Sequence, residues 1–179
     1  MEDRITLKEV LLEQIESAYN VTEKLFKKVD DSELMWKPPA GENWMTIGQL
    51  LMHCANYGCG KAVQGFTKGD WGFIESPGSN DSESDAHIPS AEMLPSVNSI
   101  DEALSLLKGD WGLAQHCIAE TDEDEFLTKK IIAPWGGPEI FLFQHLLLMI
   151  AHLAQHKGQL FYYLKLMGKD VNSDDLWGI

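Results

Sequence analysis

Along most of the chain the apolar residues recur every three or four positions, the spacing that lines one face of an α-helix. Leu11, Ile15, Tyr19, Val21, Leu25 and Phe26 form the first such stripe. They predict a helix over Leu7–Val29 with Thr6 as its N-cap, ended by Asp30-Asp31-Ser32. Residues 34–44 carry Pro38, Pro39 and Gly41 and read as a loop. A second helix is predicted from its cap Thr46 to about Phe66, with Leu50, His53 and Tyr57 in register. It contains Gly58 and Gly60, each costing about 1 kcal/mol relative to Ala inside a helix. Glycines kept at that cost imply the close approach of another helix or of a ligand.

Residues 67–98 are rich in Gly, Ser, Asp and Pro and read as a long connection, a length often tied to function. A third helix follows over Ile100–Ala119, capped by Ser99, with Leu104, Leu107, Trp111, Leu113, Ala114 and Ile118 on its apolar side. Thr121–Glu125 is an acidic connection, and the β-branched stretch Phe126–Pro134 reads as extended. Trp135-Gly136-Gly137-Pro138 is a turn, with Pro138 opening a fourth helix over Glu139–Met167. Gly168 is expected as a left-handed C-cap, and the tail Lys169–Ile179 as folding back so that Leu176 and Trp177 pack on the helices. The expected fold is all-α: one domain over residues 1–179, a four-helix bundle with a long connection between helices 2 and 3 and a short extended segment before helix 4.

Charge narrows the functional classes. With 14 Lys and Arg against 28 Asp and Glu, the formal net charge is -14. That balance argues against nucleic acid as a partner, because phosphate binding rests on basic side chains. It equally disfavours an anionic membrane surface. The acidic start, with Glu2, Asp3, Glu9, Glu13 and Glu16, is unlike a secretory signal. The most apolar segment, Ile140–Leu166, is interrupted by His145, His152, His156 and Lys157, which suits a buried helix better than a membrane span. A cytoplasmic protein is therefore expected. Cys54, Cys59 and Cys117 show no CxxC spacing, which speaks against a disulfide framework and against a thiolate zinc site.

The fourth helix carries the candidate chemistry. His152 and His156 lie about 40° apart around the helix and ~6 Å apart along it, close enough for both imidazoles to reach one metal ion. His145 lies on the same face, ~10 Å before His152, too far to share that ion easily. His53 is a third candidate, placed mid-helix among Leu50, Leu51, Met52 and Ala55. Inward histidines need partners, because an unpaired buried imidazole is costly. Either a metal ion or ordinary core hydrogen bonds would satisfy them.

Trp44-Met45-Thr46-Ile47-Gly48-Gln49-Leu50-Leu51-Met52-His53 and Ile150-Ala151-His152-Leu153-Ala154-Gln155-His156-Lys157-Gly158-Gln159-Leu160 resemble segments of the DinB-like (damage-inducible) four-helix family. Tyr163-Leu164-Lys165-Leu166-Met167-Gly168 and a tail ending near Trp177 resemble it too. The family includes YfiT-like metal hydrolases and S-transferases that act with bacillithiol or mycothiol. The resemblance implies His53, His152 and His156 as a metal triad, and a homodimer.

Three neutral imidazoles suit Zn(II) or Ni(II) and leave a coordination position open. The expected activity is a metal-dependent S-transfer of a small-molecule thiol to an electrophile. The alternatives are a metal-dependent hydrolase of YfiT type and a non-catalytic metal-binding or small-ligand-binding bundle. There is no HExxH, which mildly favours the thiol route, whereas Asp85 or Glu92 from the 67–98 connection could serve a hydrolase as base. Gln159 is placed to orient a ligand from behind, and Gly158 to allow close helix packing. Trp36 and Trp44 are expected at the cavity rim, His145 in a core hydrogen bond, His116 on the surface or in the core, and His87 in solvent.

Overall fold

The predicted stripes become helices in the computed structural model, which describes residues 5–72 and 90–179. Helix α1 spans Leu7–Phe26. Thr6 and Glu9 close a reciprocal capping box, with Thr6 Oγ1 accepting from Glu9 N at 3.2 Å and Glu9 Oε2 from Thr6 N at 2.8 Å. All six residues of the predicted stripe are buried. Helix α4, Ile100–Glu120, is capped by Ser99 as expected.

The predicted second helix is two helices. Helix α2 spans Ile47–Asn56 and α3 spans Gly60–Lys68, with Tyr57, Gly58 and Cys59 between them. Gly60 does mark a close approach: a Cβ there would press on the Asp110 backbone of α4. The interruption arises because backbone groups that a continuous helix would pair internally have found partners outside it, described below.

The segment before the last long helix also differs from expectation. Glu123–Thr128 is a short helix, α5, favoured by three acidic residues at its N-terminus. Only Lys130–Ile131 (β1) is extended, and it pairs antiparallel with Ile140–Phe141 (β2). Gly136 and Gly137, at φ +90° and +107°, turn the chain back between them. That pairing occupies the residues Pro138 was expected to lead into a helix, so α6 runs over Leu142–Leu166. Gly168 takes the left-handed conformation, φ +77°. The tail forms α7, Ser173–Trp177. Leu176 packs on the core, but Trp177 is 68% exposed. Its ring instead lies over the Lys157 ammonium, which donates to Leu176 O at 2.6 Å.

Helices α4 and α6 each pack against α1 and against both α2 and α3. The long elements thus form an all-α bundle whose second member is split. Leu11, Ile15, Leu50, Phe66, Ile118 and Leu153 lie in its core, each worth ~1.5–3 kcal/mol of burial. The connection before α4 returns to α2: Gln49 Nε2 donates to Ala91 O at 2.7 Å and to Leu94 O at 2.9 Å. His87 and Asp85 lie outside the described residues. Among the described residues no helix is long and apolar enough to cross a membrane.

Candidate metal centre

The α2–α6 contact brings His53, His152 and His156 together. His152 Nε2 lies 3.2 Å from His53 Nε2 and 3.1 Å from His156 Nε2. All three candidate ligand atoms fall within 4.8 Å of one another. Two imidazole ligands of one tetrahedral Zn(II), each ~2.0–2.1 Å from it, stand roughly 3.3–3.4 Å apart. Among the described residues, no carboxylate or thiol joins this group.

Hydrogen bonds on the far side decide which nitrogen of the His152 and His156 rings faces inward. His152 Nδ1 is 2.9 Å from Gly58 O, a carbonyl that only accepts, so Nδ1 carries a proton and, in the neutral ring, Nε2 a lone pair. His156 Nδ1 donates likewise to Gln159 Oε1 at 3.1 Å, which leaves its Nε2 as a lone pair too. With both rings neutral, two lone pairs therefore face each other at 3.1 Å. A proton on His53 Nε2 relieves at most one of them. A cation among the three relieves them all, so the donor set fits a divalent metal.

The outer partners are themselves held. Gln159 Nε2 donates to Tyr163 Oη at 2.9 Å, and Tyr163 donates to Met45 O at 3.2 Å. Trp36 and Trp44 meet the Tyr163 ring edge-on, with centroids 5.3 and 6.1 Å away. The two tryptophans thus buttress the residue that positions Gln159. Gly158 makes no close approach, since a Cβ there would meet nothing within 4 Å.

Burial, followed by the neighbouring His156 and His152, lowers the His53 pKa to about 4. Burial is also the main cause of the lowered value at His156. Both shifts favour the neutral, ligating form. Unfolded His53 takes up its proton near pH 6.5, whereas the folded residue does so only near 4. Between those values the unfolded chain binds more protons, so stability is full above about 6.5 and falls as pH drops toward 4. Urea midpoints of the metal-free protein are expected to decline over that window, and less steeply in His53→Gln. An equal slope in both proteins rules this out.

The other histidines stand apart. His145 is 4% exposed, donates from Nε2 to Ile131 O at 2.9 Å and stacks on Phe66 at 4.1 Å. It makes the expected core hydrogen bond. His116 is exposed beside Glu120. Glu92 is exposed and outside the histidine group.

Two features escaped the sequence reading. The break at Gly58 frees the carbonyl that orients His152. Asp110, on α4, secures the far side of that break: its Oδ2 accepts from Gly60 N at 2.8 Å and its Oδ1 from Lys61 N at 3.1 Å. The available signal was phase. Ala103, Leu107, Asp110, Ala114 and Cys117 are the buried stripe of α4, and one of them is a carboxylate.

A cleft of about 330 Å³ uses His152 as part of its wall. Trp135, Pro138, Ile140, Leu148 and Met149 make it largely apolar.

The family model of the DinB superfamily matches residues 14–160. No curated protein matches the chain. Among solved structures, the DinB-like protein YjoA from Bacillus subtilis superposes with a TM-score of 0.63 at 18% identity. That match covers 90% of this chain and 94% of YjoA, a likeness of fold.

Proposed function

The chain belongs to the DinB superfamily, and from that premise we propose that it is a metal-dependent S-transferase: His53, His152 and His156 hold one Zn or Ni ion, and the reaction joins a low-molecular-weight thiol to an electrophile. The observation that carries this reading is the meeting of His152 and His156 lone pairs at 3.1 Å, in rings whose other nitrogens are already committed. Bound there, the ion would supply Lewis acidity at the position the imidazoles leave open, lowering the pKa of a thiol or water.

The chain's own residues set the conditions for that chemistry. Gly58 O and Gln159 Oε1 hold two imidazoles in the ligating tautomer. Tyr163, Trp36 and Trp44 keep Gln159 in place. The cleft beside His152 offers apolar walls to an electrophile of matching character.

Thiol transfer is preferred to hydrolysis on one ground. Hydrolysis calls for a general base, and among the described residues no carboxylate joins the three imidazoles. The chain's own cysteines are poor nucleophiles: burial pushes the Cys54 thiol up to about 12 and raises those of Cys59 and Cys117. The thiol must therefore arrive as a co-substrate.

The test is a conjugation assay with monochlorobimane and, in turn, bacillithiol, mycothiol, glutathione and cysteine. Zinc-loaded or nickel-loaded protein is expected to exceed the uncatalysed rate with at least one thiol, and His156→Ala to lose the excess. Turnover of esters or amides without any thiol would overturn the assignment in favour of a hydrolase.

A further inference from the structure

Asp110 lies on α4, outside the histidine cluster, and is 5% exposed. A buried carboxylate is costly unless its oxygens are well paired. Here they are: Tyr19 Oη donates to Oδ2 at 2.6 Å, Gly60 N to Oδ2 at 2.8 Å and Lys61 N to Oδ1 at 3.1 Å. Cys59, the N-cap residue of α3, makes no side-chain cap bond. Asp110 takes over that task from another helix, satisfying two donors that α3 leaves free and placing an acceptor at its positive end.

The consequence reaches the histidines. Only Cys59 separates Gly60, held by Asp110, from Gly58, whose carbonyl faces His152 Nδ1 at 2.9 Å. Few backbone torsions lie between the two contacts, so fixing the first Gly60 amide constrains the Gly58 carbonyl. On the α2 side the last helical bond is already closed, from Tyr57 N to His53 O at 3.0 Å. Gly60 further permits the contact, because any Cβ there would press on Asp110.

We propose that Asp110 is a positioning residue for the three-histidine centre: by capping α3 from α4 it holds the break that turns the Gly58 carbonyl onto His152, and so sets the affinity of the cluster for its ion. The inference rests on the metal reading given above.

The test measures zinc affinity by competition with a chromophoric chelator, on tag-free wild type, Asp110→Asn and Tyr19→Phe. Asparagine has one acceptor oxygen, and its amide meets an α3 N–H as donor against donor. Loss of a partner behind a ligand typically weakens metal binding 10–100-fold, and Asp110→Asn is expected at about tenfold. Tyr19→Phe removes a hydrogen bond from the same carboxylate but leaves both α3 amides paired, so its affinity should stay within about twofold.

Coupling is reciprocal, so zinc should also slow hydrogen exchange at the Gly60 and Lys61 amides of the wild type. That measurement decides the matter if Asp110→Asn does not fold. Wild-type affinity in folded Asp110→Asn, equal losses in both variants, or unchanged exchange where Asp110→Asn is unfolded would each overturn the proposal. Failure of the wild type itself to bind zinc would instead overturn the metal reading, and this inference with it.

Discussion

Tag-free protein loaded with zinc and freed of excess metal is expected to retain about one ion per chain, and His156→Ala close to none. Three converging nitrogens are the whole donor set among the described residues, so deleting one leaves two imidazoles and solvent. Changes behind a ligand already cost 10–100-fold in affinity, and loss of a ligand itself should exceed about 100-fold. Ion binding also feeds into stability. At a free zinc concentration near 100 times Kd, linkage adds about 2.7 kcal/mol to the folded state. The wild-type melting temperature should accordingly rise with zinc while that of His156→Ala stays put. Equal metal content in the two proteins, or none in either by elemental analysis, would remove the site and leave three partly buried histidines in a bundle.

His145→Ala is expected to do the reverse, destabilising the fold strongly while leaving zinc binding intact. Its imidazole joins α6 to β1 through Ile131 O and fills the space against Phe66. Removing it strands a carbonyl, at a cost of ~1–3 kcal/mol. It also forfeits an aromatic contact worth ~0.5–1.5 kcal/mol. A loss of about 3 kcal/mol follows, readable as a lower urea midpoint. Loss of zinc stoichiometry in this variant, in protein that is still folded, would place His145 in the metal site and contradict the geometry. The two variants together separate the histidine that packs from those that converge.

Much of this was visible in the residues because it depends on short-range spacing. The stripe of α1, the Thr6, Thr46 and Ser99 caps and the left-handed Gly168 are local consequences of side-chain type. The His152–His156 pair needs only a helix to bring it together. Gln159 was likewise within reach, one turn from His156.

What was missed depended on partners distant in sequence. An apolar run with two glycines reads as one helix until Asp110 is seen capping its second half, fifty residues away along the chain. The stretch before α6 reads as a helix start after Pro138, until β2 pairs back onto β1. Trp177 looks like a core residue by composition, yet it ends as an exposed cover over Lys157.

The sequence by itself determined the helical character of the long elements, the capped starts of α1, α2 and α4 and the identity of the candidate ligands, since periodicity and capping act within a few residues. Only the tertiary structure decided that His53 stands at the depth of His152 and His156, that the second helix breaks at Gly58, and which nitrogen of His152 faces inward. Those outcomes rest on hydrogen bonds and packing between separate helices, whose registry no local pattern encodes: a helix can present a side chain, but the helix packed against it decides what that side chain meets.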